Sequence, residues 1–191
     1  MAEFSRRQFI AATGGTLASV WLAAEAKDLI AAGAHAARAA RQAAPPPFQV
    51  LTADQAADLE AATAQIVPTD ETSGAKEARV VYFIDKSLAT FGKEQRPIFE
   101  KGLKDLRSRA AKINRNAKSF AALTEDQQIA VLTKLEKDKS EFFEALRSAT
   151  IVGMLANPEY GGNYNKLGWK MIGFDDRFSW SAPFGWYDRD A

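Results

Sequence analysis

Residues 157–169 read Asn157-Pro158-Glu159-Tyr160-Gly161-Gly162-Asn163-Tyr164-Asn165-Lys166-Leu167-Gly168-Trp169. They follow an apolar run with helical spacing, and Asn157-Pro158 ends that run because the residue before proline is disfavoured in the α region. Gly161, Gly162 and Asn163 tolerate positive φ, so they permit a tight reversal between two aromatic residues. The stretch therefore predicts the end of a helix followed by a sharp turn of the chain.

The chain beyond this turn is rich in aromatic side chains. Nine of the 20 aromatic residues lie from position 160 onward: Tyr160, Tyr164, Trp169, Phe174, Phe178, Trp180, Phe184, Trp186 and Tyr187. Each ring can bury roughly 150–250 Å², whereas the largest exposed apolar patch of a soluble monomer is about 300–600 Å². Most of these rings must therefore be covered, by this domain's own core, by a partner chain, or by a sugar that stacks on them. Their irregular spacing, interrupted by Gly173, Pro183 and Gly185, favours an extended arm that lies on a surface.

The composition is that of a globular protein of one domain, with or without a leader. The 191 residues are 47% hydrophobic and 26% charged, with a net charge of +1. This balance argues against nucleic-acid binding, which requires a basic face. There is no cysteine, and the single histidine is His35. Disulfides, iron–sulfur clusters and covalent c-type haem are therefore excluded, and an imidazole metal site in the folded domain is not expected.

The N-terminus resembles a twin-arginine (Tat) export signal. Arg6 and Arg7 are followed by Phe9, and residues 8–24 carry no charge. Several Ala-x-Ala cleavage candidates occur between residues 24 and 36, and an uncleaved leader would act as an anchor. We expect residues 1–36 to be the signal region, which places the protein in the periplasm.

Five helices are predicted after this leader. Residues 37–50 are an Ala/Pro-rich linker, and residues 51–191 form the domain, with the aromatic arm from about residue 157. Capping signals, helical spacing and breakers predict helices at about Thr52–Ile66, Ala75–Thr90, Pro97–Ile113, Thr124–Leu135 and Ser140–Leu155. The fold class is therefore mainly α: an irregular helical domain with an extended C-terminal aromatic arm.

Few residues are suited to catalysis. Asp70 with Glu71, and Asp175 with Asp176, are carboxylate pairs that could bind a cation or act as acid and base; solvated loop charges are the simpler explanation of both pairs. A Ser/His/Asp or Cys/His set is impossible beyond the leader. No G-x-G-x-x-G or G-K-[ST] motif is present, so a nucleotide-binding loop is not expected. We predict no catalytic, cofactor-binding or metal-binding residues in this chain.

Seven motifs in order resemble the gluconate 2-dehydrogenase subunit 3 family. They cover roughly residues 51–174: Ile66-Val67-Pro68-Thr69-Asp70, Gly74-Ala75 with Glu77-Ala78, Phe83-Ile84-Asp85, Gly102-Leu103, Phe142-Phe143 with Arg147 and Thr150, Tyr160-Gly161-Gly162-Asn163, and Gly168-Trp169. The resemblance implies a non-catalytic small subunit of a periplasmic FAD-dependent sugar or sugar-acid dehydrogenase. It further implies a flavoprotein large subunit that holds FAD, a multihaem c-type cytochrome as a third component, and joint export through the Tat translocase.

We therefore predict that the arm binds the flavoprotein. The candidate interface residues are Tyr160, Asn163, Tyr164, Trp169, Phe178, Trp180, Phe184, Trp186 and Tyr187. Tyr160, Asn163 and Trp169 have an alternative role, which is to hold the loop together inside the domain. Two other functions stay open: a free-standing periplasmic enzyme that uses Asp70, Glu71 or Asp175, and a carbohydrate-binding module that stacks sugars on Trp180 and Trp186.

Overall fold

The computed structural model describes residues 45–176, and every regular element in that range is helical. Six α-helices are found there: α1 (Ala53–Ile66), α2 (Val80–Ala89), α3 (Arg96–Ile113), α4 (Glu125–Lys137), α5 (Glu141–Leu155) and α6 (Leu167–Met171). Short 3-10 turns cover Lys93–Gln95, Pro158–Tyr160 and Tyr164–Lys166. The mainly α prediction is confirmed, and α6 lies where an extended arm was expected.

Two helix starts form as their capping sequences predict. The Thr52 hydroxyl accepts a hydrogen bond from the Gln55 amide at 3.2 Å, and the Gln55 side chain accepts one from the Thr52 amide at 2.9 Å. Thr124 and Gln127 make the same reciprocal pair at the start of α4. These bonds satisfy helix N-terminal amides that would otherwise lack partners.

Helix α5 is the centre of the domain, because it packs against all five other helices. Its buried residues lie on several faces: Phe142, Phe143, Leu146, Ala149, Thr150, Gly153 and Met154. A helix that is apolar on most sides belongs in a core. At its start Gly102 of α3 lies directly against the Phe142 side chain, where a Cβ atom would overlap the ring.

The second helix begins later than its sequence predicts. We expected Ala75–Thr90, but α2 spans Val80–Ala89. Gly74 lies so close to α1's end that a Cβ atom on it would overlap the Val67 carbonyl oxygen. The Ala75 amide donates to the same carbonyl at 2.9 Å. Arg79 then takes φ 56°, which a helix cannot contain. Contacts with the end of α1 therefore hold residues 74–79 as turns.

Two carboxylates organise the loop between α1 and α2. Glu77 accepts hydrogen bonds from the Thr69 hydroxyl at 2.6 Å and the Gly74 amide at 3.0 Å. Asp70 accepts from the amide and hydroxyl of Thr72 at 2.8 and 2.9 Å. The Thr69 hydroxyl lowers the pKa of Glu77, and the Thr72 amide lowers the pKa of Asp70. Each carboxylate is thus more acidic in the folded loop than in the unfolded chain.

This loop should loosen in acid. A group whose pKa is lowered by folding contributes stability that is complete above its unfolded pKa, which is 4.5 for Glu77, and that is lost as the pH falls through the folded value. We expect the chemical shift of the Gly74 amide to titrate with a midpoint below 4.5. Glu77→Gln should abolish this titration, whereas Glu71→Gln in the same loop should preserve it. A Gly74 shift that does not change with pH in the wild-type chain would contradict the prediction.

An ion pair whose carboxylate is buried and whose arginine is partly exposed joins three parts of the domain. Asp58 on α1 is completely buried and accepts from Arg107 Nε on α3 at 2.6 Å and from the Ala121 amide at 3.0 Å. Gln128 on α4 is also buried, and its side chain accepts from Gln65 at 2.8 Å. Buried polar groups need such partners because an unpaired one costs about 1–3 kcal/mol. These contacts fix α1, α3 and α4 relative to one another.

The chain before α1 also packs on the domain. The Phe48 ring stacks on Tyr82 of α2 with centroids 4.7 Å apart and an angle of 18° between the planes. Leu51 is 8% exposed and belongs to the core. Residues 48–50, which we assigned to the linker, therefore lie against α2.

The predicted signal residues Arg6, Arg7 and Phe9 lie outside the described residues, as do residues 177–191 of the predicted arm. Within residues 45–176, none of the helices has both the length and the apolar character needed to span a bilayer. In the same range, His, Cys, Asp and Glu do not gather in groups of three or more that could hold a metal ion.

Candidate partner-binding site

The loop after α5 folds back and supplies hydrogen-bond partners to the end of that helix. Trp169 Nε1 donates to the Leu155 carbonyl at 2.7 Å, and Asn163 Nδ2 donates to the Ala156 carbonyl at 2.9 Å. The last carbonyls of a helix have no partner within the helix. The loop therefore completes the C-terminus of α5 and is anchored to it.

Asn163 is the centre of this loop. Its side chain is completely buried, and its Oδ1 accepts from the Gly168 amide at 2.9 Å and the Trp169 amide at 3.4 Å. Its backbone has φ 48°, a conformation in which asparagine is enriched among residues other than glycine. One side chain thus joins the end of α5 to the start of α6.

Two glycines allow the loop to touch the backbone of α5. A Cβ atom on Gly162 would overlap the Gly153 carbonyl oxygen, and one on Gly168 would overlap the Met154 carbonyl oxygen. These obstacles are backbone atoms, so they cannot rotate away as a side chain does. Gly161, in contrast, is required for its conformation, because its φ is 103°.

The two tyrosines of the loop face α2 and its neighbours. Tyr160 packs edge-on against Phe91, with ring centroids 6.1 Å apart. Tyr164 lies under the Arg79 guanidinium, whose central carbon is 3.6 Å from the ring centroid, and its amide donates to the Ala78 carbonyl at 3.1 Å. A cation at this distance over an aromatic face is stabilising. Both tyrosines are half-buried, so part of each ring is open to solvent.

Beyond the loop, apolar side chains are exposed together. Met171 is 40% exposed, Ile172 47% and Phe174 44%, and the Phe174 ring lies edge-on to Trp169 with centroids 5.2 Å apart. We call Trp169, Met171, Ile172 and Phe174 the apolar edge. Scattered single apolar residues are normal on a surface, but adjacent ones mark an interaction site.

The structure divides the predicted interface residues into three groups. Asn163 is enclosed and holds the loop, which is the alternative role considered for it. Tyr160, Tyr164 and Trp169 are partly buried and each has a solvent-facing part. The others lie outside the described residues: Phe178, Trp180, Phe184, Trp186 and Tyr187. Their contact with a partner stays a prediction.

The candidate carboxylates lie in two separate loops. Asp70 bonds within its own turn, and Glu71 beside it is exposed. Asp176 pairs with Lys166 at 2.5 Å, which closes the segment around α6. Asp70 and Asp176 therefore have local structural partners that explain their positions.

A crevice of about 210 Å³ lies between α3 and α4. Arg109 at its wall bonds to Asp105 at 2.8 Å and to Asp138 at 2.7 Å, and the Asp138 bond raises the pKa of Arg109. Both aspartates of the wall thus pair with Arg109, and Lys112 and Lys134 complete a lining of three basic and two acidic residues with a net charge of +1.

Two features of this region were not predicted from its sequence. Met171 and Ile172 were overlooked because only aromatic residues were counted, although two large aliphatic side chains between Trp169 and Phe174 were a readable signal. Asp85 was noted only within a family motif. A carboxylate in the apolar run Val80–Leu88 is unusual enough to predict a buried partner.

Comparisons with known proteins give one match. The model of a family described as gluconate 2-dehydrogenase subunit 3 matches residues 53–176, from the first residue of α1 past the apolar edge. No curated protein and no solved structure matches the chain.

Proposed function

Because the chain belongs to the gluconate 2-dehydrogenase subunit 3 family, we propose that it is the non-catalytic small subunit of a periplasmic FAD-dependent sugar or sugar-acid dehydrogenase. The family match confirms the resemblance seen in the sequence. In this proposal a flavoprotein large subunit performs the oxidation, and the small subunit supports its assembly. The reaction is of the gluconate 2-dehydrogenase or glucoside 3-dehydrogenase type.

The apolar edge is the observation that carries this proposal. Three residues within four positions of the chain, Met171, Ile172 and Phe174, are each at least 40% exposed, whereas the other exposed large apolar residues of the described chain, Ile113 and Ile129, are far apart in sequence. Interface cores are enriched in aromatic residues and methionine, and the apolar edge contains both. It lies on a loop tied to α5 by two hydrogen bonds, so its position is fixed before a partner arrives.

The assignment of cofactors and of the export signal to the subunits of the proposed complex is based on the residues of this chain. The sequence has no G-x-G-x-x-G motif, so in our proposal FAD is held by the large subunit. It also has no Cys-x-x-Cys-His motif, so haem belongs to a separate c-type cytochrome subunit. The large subunit crosses the membrane with this chain, whose leader carries the Tat signal. The complex is then periplasmic, and contact with the cytochrome holds it at the membrane.

Charge on the apolar edge should prevent assembly. We expect Ile172→Asp to weaken binding to the co-expressed flavoprotein at least about thirtyfold, because an interface anchor contributes about 2 kcal/mol or more. The measurement is co-purification of flavin absorbance with the small subunit. Ile129→Asp on α4 is the matched control, since Ile129 is 48% exposed and Ile172 is 47% exposed.

The outcome distinguishes the alternatives. Loss of flavin with Ile172→Asp and its retention with Ile129→Asp supports the proposal. Equal retention in both variants contradicts the apolar edge as the binding surface. Dehydrogenase or hydrolase activity of the chain purified alone would support the free-standing enzyme, and sugar affinity of the chain alone would support the carbohydrate-binding module.

A further inference from the structure

Residues 45–51, which we call the strap, have no regular secondary structure up to Phe48, bend at residues 49–51, and pack on α2. Its residues alternate in burial: Pro46, Phe48 and Val50 are half-buried, whereas Pro45, Pro47 and Gln49 are exposed. Alternation of this kind is typical of an extended chain that presents one face to a surface. The strap is therefore seated on the domain along its length.

A single carboxylate anchors the strap. Asp85 accepts hydrogen bonds from three successive amides, those of Gln49, Val50 and Leu51, at 2.8, 2.9 and 2.9 Å. Asp85 is only 2% exposed. A buried carboxylate is costly unless donors surround it, and hydrogen bonds to a charged acceptor are about twice as strong as neutral ones. The strap amides and the Asp85 carboxylate of α2 thus stabilise each other.

The proline end of the strap forms one side of a narrow groove whose other walls come from two distant parts of the chain. Pro45 and Pro46 share a narrow crevice with Tyr82 and Lys86 of α2 and with Tyr164 of the loop after α5. Proline-rich extended segments bind grooves lined by aromatic rings because little conformational entropy is lost.

One wall of this groove depends on the loop after α5. The Tyr164 ring is held there by Arg79, and its amide bonds to Ala78 at 3.1 Å. The groove is complete only when both α2 and this loop have formed.

We propose that the strap is a fold-dependent tether for the export leader. All the candidate cleavage sites precede residue 45, so the strap stays with the domain whichever is used. Residues 45–51 join the leader to the domain, and they are held against α2 only when the strap is seated. This inference rests on the export role proposed above. It adds that the strap ties the leader to the domain only once α2 and the loop after α5 have folded.

Hydrogen exchange on the full chain tests the physical coupling. We expect Phe48→Ala to raise the exchange rates of the Gln49, Val50 and Leu51 amides at least about tenfold, with little change at Leu103 and Leu106 in α3. Asp85→Asn should raise the exchange rates of these three amides further. Ile129→Ala on α4 should leave them unchanged. Asn163→Ala should also release the strap amides, because it frees the loop that carries Tyr164. Unchanged strap protection in Phe48→Ala or in Asn163→Ala would overturn the coupling.

Export then tests the role of the tether. Phe48→Ala should lower the periplasmic fraction of the large subunit's activity without reducing co-purification of the two chains. Normal export with a released strap would overturn the tether, while the proposed function would stand. If the wild-type chain itself fails to export the large subunit, the proposed export role fails, and the tether fails with it.

Discussion

Among the substitutions that only shorten a side chain in the loop after α5, Asn163→Ala should destabilise the domain most. The substitution deletes the donor to the Ala156 carbonyl, which is partly buried, and the acceptor for the Gly168 amide, which is buried, and leaves both backbone groups without this partner. We expect the free energy of unfolding to fall by about 2–4 kcal/mol, since each buried unsatisfied group costs about 1–3 kcal/mol. Urea unfolding followed by circular dichroism measures it, with an unchanged m-value showing that stability alone has changed.

The chain contains its own control for this prediction. Asn165 has φ 54°, close to the 48° of Asn163, but its side chain is exposed. Asn165→Ala therefore removes the same amide from the same backbone region without removing the bonds to α5 and α6. We expect a loss below about 1 kcal/mol, which is the backbone contribution alone. Equal losses in the two variants would show that the backbone conformation, and not the hydrogen bonds, is what matters at Asn163.

Much of the fold was readable from the sequence because its signals are local. The reciprocal bonds of Thr52 with Gln55 and of Thr124 with Gln127 lie within four residues, so the sequence alone predicts where α1 and α4 begin. Pro97 in the first turn of α3 and Asn157-Pro158 after α5 are equally local. These helices have the predicted ends to within one or two residues.

The start of α2 could not be predicted because its cause is distant. Residues 75–79 have good helical composition, and their apolar spacing continues that of α2. They form turns because the Ala75 amide bonds to Val67 and because Arg79 lies over the Tyr164 ring. Tyr164 is 85 positions further along the chain. Tertiary contacts of this kind override helix propensity, which is a weak preference.

The candidate site shows the same difference between what local sequence predicts and what distant contacts decide. The sequence identified Asn163 and Trp169 as important, but both the interface role and the loop-holding role fitted the pattern. The difference lies in where the side chains point, and only the fold places the carbonyls of Leu155 and Ala156 within their reach. Met171 and Ile172 could be read from the sequence as large apolar residues, but their exposure could not, because α6 is short and its apolar residues have no repeat that assigns them to a face.

Export of the large subunit should depend on the two arginines of the leader. We expect the double variant Arg6→Lys, Arg7→Lys to leave nearly all of the large subunit's activity in the cytoplasm. Lysine keeps the positive charge but lacks the planar guanidinium with its five donors, so recognition that reads this geometry is lost while the charge of the leader is unchanged. Cell fractionation, with dehydrogenase activity measured in each fraction, checks the result.

Arg38→Lys with Arg41→Lys is the matched control, because it makes the same chemical change twice in the segment between leader and strap. We expect normal export in this variant. The two chains should still co-purify from the cytoplasm of the Arg6, Arg7 variant, since the apolar edge is unchanged. Binding without export would therefore separate the two parts of the proposal: one surface of the folded domain holds the partner, and the leader is required for export of the pair. Normal periplasmic activity in the Arg6, Arg7 variant would refute the carrier role and leave only a role in assembly.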